Sequence, residues 1–497
     1  MKFNVKPVGT RFAAEAVVLT YFAKQRPEAQ PLWRQLRATE RRLVTRYFRT
    51  KEFTGKIGEV KVVPRLPKGK LVVLGLGERP KWNTRKLVLM ARRMVGVAKV
   101  EKALNLALAL EPLAVSGVSW ERITQTVAEN MVMANYDFAK YKQKANEGFT
   151  VAALSLVVSQ AVLSAARAGV NIGQVVGEQV NLARDLGNTP GGEMTPSLLA
   201  RKAQEVGRAS KIRVKVLGRA ELRRMKMGAI LGVAEGSAEE PKFIIMEYYG
   251  GAKRQAPCVF VGKGVTFDTG GLNLKPDKAM NDMHLDMSGG AAVMSALGAI
   301  ARLKLKVNIV GLVPAVENMP GSAGYRPGDL LKGLSGKTIE VLNTDAEGRV
   351  ILSDALTYAE RFKPKLVVDL ATLTGACMVA LGLRCSGLFT PDIKLQVELA
   401  GVGENSGDYV WPLPMWEEYE EEVKGTFGDV QNVGRSRYGD AIAGAMFLWQ
   451  FAKSYPWAHL DIAGPMKTFD GQYLSAGASG VGVRFLVELA RAYSGAS

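Results

Sequence analysis

Apolar and polar positions alternate along this chain in runs that fit strands and helices by turns. Lys70 to Gly77 (KLVVLGLG) has the length and β-branched content of a strand, and Thr84 to Val100 follows with helical spacing. Leu104 to Leu110 predicts a second strand, Trp120 to Met133 a helix, and Phe149 to Ser159 another strand. A long helical stretch begins at Ala161 and runs towards Asp185, ending in the loop chemistry of NTPGGEMTP. Beyond it, the strands PCVFVGKG, VNIVGLVPAV and KLVVDLATLTG alternate with helices over Gly289–Leu303 and Ser353–Phe362.

Strand–helix alternation of this kind predicts an α/β fold with a mixed, largely parallel sheet flanked by helices, where ligands sit beyond the carboxyl ends of strands. Two domains are expected, a smaller α/β one over 1–165 and a larger one over 166–497. Gly75 and Gly77 form only GxG, so no dinucleotide fingerprint is present.

Composition narrows the class. Of 497 residues, 47% are hydrophobic and 23% charged, enough for a packed core. Three cysteines without CxxC spacing argue against a disulfide framework and for a reducing compartment. The opening MKFNVKPVGT lacks the apolar stretch of a signal peptide. The longest apolar run, Leu366 to Leu383, carries Asp369 and reads as a buried strand plus turn, not a membrane span. A soluble cytoplasmic protein is expected. The net charge of +19, with Arg34, Arg37, Arg41, Arg42, Arg46 and Arg49 on one basic helix, leaves two readings: a solvated helix face, or a surface for nucleic acid or an acidic neighbour.

The candidate chemistry lies in two segments. Val261 to Gly290 offers Lys263, Asp268, Lys275, Asp282 and Asp286 around glycine turns; Asn343 to Arg349 (NTDAEGR) offers Asp345, Glu347 and Arg349. Each follows a strand, so both can reach one sheet edge. In an extended chain Asp345, Glu347 and Arg349 would share a face. Crowded carboxylates repel unless a divalent cation compensates them. Only two histidines exist, His284 and His459, with neither HExxH nor GxSxG, so oxygen ligands must carry most of any metal binding. That pattern suits a paired-metal hydrolase.

VGKGVTFDTGG and NTDAEGR closely resemble the signatures of the leucyl aminopeptidase (cytosol aminopeptidase) family. The likeness extends through LATLTGA, SGLFTPD, Trp411–Gly434, WAHLDIAG and GVGVRFL, and weakly to YDFAKYK in the first third. It implies a metallo-exopeptidase that hydrolyses N-terminal residues, Leu- or Met-like by preference, through a metal-activated water. It also implies two divalent ions, Mn²⁺ or Zn²⁺, on Lys263, Asp268, Asp286, Asp345 and Glu347, with Lys263 a neutral amine. Lys275 and Arg349 match the catalytic positions, Arg349 holding a bicarbonate; Met283, Thr372, Leu373 and Gly375 match positions lining the substrate pocket. A homo-hexamer acting on peptides is implied, and some family members have an additional DNA-binding or transcriptional role. Pro465 in DIAGP, near the pocket, the NTPGGEMTP loop and Gly290 in MSGGAAV depart from the family pattern.

Overall fold

The computed structural model describes residues 1–10, 14–64, 69–144 and 148–495. It divides into two compact units: Met1–Glu178 with Phe469–Ser475, and Gln179–Thr468 with Ala476–Ser497. The chain passes from one to the other inside the helix Leu163–Asn188.

The first unit is built on six strands, β1 (Lys2–Pro7), β2 (Ala16–Phe22), β3 (Val60–Pro64), β4 (Lys70–Gly77), β5 (Asn105–Ala109) and β6 (Ala153–Val158). Their order is β1-β6-β5-β2-β4-β3, parallel except for β3 against β4. β2 is buried at every position, as expected of a strand covered on both faces. The arginine-rich helix spans Ala38–Arg49, buries Glu40 and Val44, and leaves Arg42, Arg46 and Arg49 exposed.

Sequence periodicity did not announce how the helices Trp120–Asn135 and Leu163–Asn188 cross. Gly169 and Gly173 sit where a Cβ would lie 2.2 Å from the Glu121 carbonyl oxygen and 2.4 Å from that of Gln125. Backbone meets backbone there, and only glycine fits. Gly173→Val is therefore expected to cost about 1–3 kcal/mol through overpacking, read as a fall in the urea midpoint. Gly96, also helical but with open space at its Cβ position, is the control: Gly96→Ala should be neutral or stabilising by up to about 1 kcal/mol.

The second unit contains β7 (Arg213–Leu217), β8 (Lys242–Tyr249), β9 (Cys258–Gly262), β10 (Gly264–Asp268), β11 (Asn308–Asn318), β12 (Leu330–Lys332), β13 (Thr338–Glu340), β14 (Leu366–Ala371), β15 (Ser386–Phe389), β16 (Val410–Pro412), β17 (Val430–Gln431) and β18 (Trp457–Asp461). Its main sheet runs β16-β15-β18-β14-β9-β11-β8-β7, with β10 alongside β11. The central strands β18, β14, β9 and β11 are mutually parallel. Val259, Val261, Val310 and Leu312 pack with Val350 and Ile351 of the helix Glu347–Ala359. Gly311, pointing the other way, faces Val293 and Leu297 of the helix Ser288–Arg302. Helices therefore cover both faces, and chemistry is confined to the strand ends.

Two sequence expectations are corrected here. Glu347 does not continue an extended run from Asp345; it opens the helix Glu347–Ala359, which starts well before Ser353. Its carboxylate thereby gains the positive end of the helix. Nor does NTDAEGR arrive from the main sheet, because β13 belongs to a separate three-stranded sheet, β12-β13-β17. No helix among the described residues is long and apolar enough to cross a membrane.

Candidate active site

Lys263, Asp268 and the Thr372–Gly375 turn emerge at the carboxyl ends of β9, β10 and β14. Asp286 follows a short 3-10 turn, Met283–Leu285, and Glu347 begins its helix. These elements converge. Oxygens of Asp268, Asp286 and Glu347 lie within 4.8 Å of one another, and all three residues are buried.

Lysines thread the cluster. Lys263 Nζ lies 2.8 Å from Asp286 Oδ2 and 2.8 Å from Glu347 Oε1, and donates to the Thr372 carbonyl at 2.9 Å. Lys275 Nζ lies 2.8 Å from Asp268 Oδ2 and also pairs with Asp345. With Asp345 there are four carboxylates against two ammonium groups, so full ionisation of the four would leave two negative charges uncompensated. Asp286 Oδ2 and both Glu347 oxygens accept no hydrogen bond, although the first and one of the latter stand at ion-pair distance from Lys263. Buried carboxylate oxygens without donors are costly, and they are what a divalent cation would satisfy.

The electrostatics follow from that imbalance. Burial pushes Asp286 well above the usual carboxylate range, with Glu347 and Asp268 adding to it against the pull of Lys263. Asp345 is pushed up to about 6 by burial, then by Asp268 and Glu347. Burial pulls Lys263 down, but the charges of Asp286, Glu347 and Asp268 outweigh it and hold the amine above the ordinary lysine value. A neutral Lys263 therefore depends on a cation, since the protein's own groups favour the ammonium. Gly348 is dictated by the same lysine: a Cβ there would lie 2.6 Å from Lys263 Nζ.

A second tier holds these groups in place. Asn318 donates to Asp268 Oδ1 and to the Thr344 carbonyl, at 2.8 and 2.9 Å. Thr344 donates its hydroxyl to Gly270, and Tyr325 donates to the Thr344 carbonyl. Asn432 accepts from the amides of Leu342 and Asn343 and donates back to the Asn343 carbonyl. Asp461 accepts from the Leu373 amide and the Thr374 hydroxyl, fixing the turn that carries the Thr372 carbonyl. Sequence reading passed over these residues. Their one signal was a lone Asn or Asp inside or just after an apolar run, as in VGLVPAVEN and WAHLDIAG.

The remaining sequence candidates are placed as follows. Thr372 joins the cluster directly, its hydroxyl donating to Asp286 Oδ1 at 2.6 Å. Leu373 is half-buried beside the Gly444 position that also faces Arg349. Met283 is half-buried, and Gly375 is exposed with open space on its side-chain face. Arg349 turns from the carboxylates: it donates to the Asn432 carbonyl at 3.0 Å, lies 3.5 Å from Asp440 Oδ1, and its buried Nε has no acceptor. Of the histidines, His459 is enclosed against Asp369 at 2.6 Å, and His284 is half-buried; neither is among the clustered carboxylates. All three cysteines are free thiols.

Comparison with known proteins identifies the family. The catalytic domain of the cytosol aminopeptidase family matches residues 181–487, and the N-terminal domain of that family matches 17–145. A probable cytosol aminopeptidase of Azoarcus sp. (strain BH72) is 53% identical over 311 residues, 63% of this chain and 62% of that one. One from Aromatoleum aromaticum (strain DSM 19018 / LMG 30748 / EbN1) is 42% identical over 82% of this chain and 83% of its own. Among solved structures, the bottromycin maturation enzyme BotP in complex with Mn superposes with TM-score 0.84 at 33% identity, covering 97% of this chain and all of that one. The class these findings define is the aminopeptidase. The chain belongs to the cytosol aminopeptidase family, as the NTDAEGR resemblance implies.

Proposed function

We propose that Lys263, Asp268, Asp286, Asp345 and Glu347 hold two divalent cations, manganese or zinc, and that the enzyme releases N-terminal residues from peptides, Leu- and Met-like ones by preference. The observation carrying this is the buried triad Asp268, Asp286 and Glu347 with carboxylate oxygens left without donors. Manganese in the BotP structure is a property of that protein and favours the same cation here. When bound, the cations would supply Lewis acidity to a water and to the peptide carbonyl.

The chain's own residues do the rest. Lys275, held between Asp268 and Asp345, donates to the carbonyl oxygen as negative charge grows on it. Arg349 offers its unpaired Nε, 3% exposed as a residue, to a planar anion. A bicarbonate matches its fork and would take the proton from the attacking water. Thr372 orients Asp286, while Met283, Thr372, Leu373 and Gly375 line the side-chain pocket. The family resemblance extends the proposal to a homo-hexamer in the cytoplasm, with residues 1–165 serving assembly or regulation and 166–497 catalysis. The arginines of Ala38–Arg49 are a solvated face in this account; a nucleic-acid role rests on charge alone.

Leucyl and methionyl p-nitroanilides should be hydrolysed by protein loaded with Mn²⁺ or Zn²⁺, at least about tenfold faster than a glutamyl anilide. No turnover by folded, metal-loaded protein would refute the activity. Equal rates across the panel would refute the apolar pocket alone.

A further inference from the structure

Arg349 is a buried cation only partly satisfied by its surroundings. Its side chain is 4% exposed, one terminal nitrogen donates to the Asn432 carbonyl, and Nε finds no acceptor. Among the described residues, Asp440 is the acidic group paired with it, its Oδ1 3.5 Å from the other terminal nitrogen. That distance is an ion pair, not a hydrogen bond. Asp440 keeps 40% of its side chain exposed and opens the helix Asp440–Trp449, directly after Gly439 at φ 65°. Its exposure leaves room for two placements. It can lean on the guanidinium, or it can turn to solvent and remain favoured by the positive helix end.

We propose that Asp440 is a built-in competitor for Arg349, setting how tightly that guanidinium takes up a small planar anion. The proposal rests on the reading of Arg349 as an anion holder given above. With Asp440 leaning in, the pair is electrically neutral, and an incoming bicarbonate meets a carboxylate close to its site. With Asp440 turned away, the guanidinium presents a full positive charge, and Nε and the nitrogen facing Asp440 form a two-pronged donor. Asn432 differs in kind: its neutral carbonyl orients Arg349 without opposing an anion. Asp440 is accordingly a tuning residue acting through Arg349, and it makes activity dependent on bicarbonate concentration.

The test is calorimetric titration of sodium bicarbonate into metal-loaded wild type, Asp440→Asn, Asp440→Glu and Arg349→Ala at low ionic strength, with far-UV circular dichroism as the check on folding. Asp440→Asn should bind about twofold to fivefold more tightly, the scale of one partly exposed charge pair. The bicarbonate concentration giving half-maximal hydrolysis should fall by the same factor. Asp440→Glu keeps the carboxylate and should stay near wild type. The advantage of Asp440→Asn should shrink as salt rises to about 0.5 M, where the screening length is a few ångströms. Should the Asn variant unfold, Asp440→Ser carries the same expectation. Equal affinity in wild type and Asp440→Asn, with Arg349→Ala abolishing binding, overturns the proposal and leaves the role of Arg349 intact. Bicarbonate binding that survives Arg349→Ala unchanged, or none in wild type, removes the role of Arg349 and this proposal with it.

Discussion

Glu347→Ala should abolish peptide hydrolysis, lowering kcat/KM by about 10⁴-fold or more, the scale expected when a cation that activates water is lost. Glu347 is buried at the start of its helix, and both its oxygens lack hydrogen-bond donors. Oε1 stands 2.8 Å from the Lys263 ammonium, and Oε2 is left for a cation. Removing it leaves Lys263 with Asp286 and the Thr372 carbonyl, so the lysine stays paired and the fold should survive. Anilide hydrolysis measured with circular dichroism separates the two effects: a folded, inactive variant agrees with the account. A folded variant retaining more than about a hundredth of the activity contradicts the ligand role of Glu347, because loss of an auxiliary group costs only that much.

Lys275→Met should behave differently, and the difference carries information. Lys275 is paired to Asp268 and Asp345 but holds its charge towards the same space. Burial lowers its pKa, yet the charges of Asp268, Glu347 and Asp345 outweigh that and hold it above the ordinary lysine range, so it stays a cation. Losing one donor to a developing oxyanion costs about 10²- to 10³-fold in kcat, while KM and metal content should change little. Arg349→Ala should cost less, since solvent can partly replace a proton acceptor. Steady-state kinetics that put the whole loss of Lys275→Met into KM would reassign it to ground-state binding.

Much of this site was legible in the chain because the groups sit on short, strand-flanked motifs. Lys263 follows an apolar run that reads as a strand into a glycine turn, whereas the strand Gly264–Asp268 that ends on Asp268 is seen only in the structure. The strand at Lys70–Gly77 and the helix at Thr84–Val100 fall where the periodicity puts them. What misled was local: treating Asp345, Glu347 and Arg349 as extended overlooked that Glu347 begins a helix, which sends Arg349 to Asn432 and Asp440. That turn is set by Asn432, 89 positions from Asn343 in sequence, and by Asn273, whose side-chain oxygen accepts from the Thr344 amide. Such constraints leave no local periodicity. Asp461 was equally silent, since a carboxylate inside an apolar strand shows only that something pairs with it.

The central claim is that Asp268, Asp286, Asp345, Glu347 and Lys263 together bind a pair of cations. Elemental analysis of protein stripped with chelator and reloaded with manganese tests it most directly. Two ions per chain in the wild type, and fewer in Asp268→Asn, is the expected result. A protein that remains folded yet takes up no manganese or zinc, or that binds both ions undiminished without the Asp268 carboxylate, contradicts it.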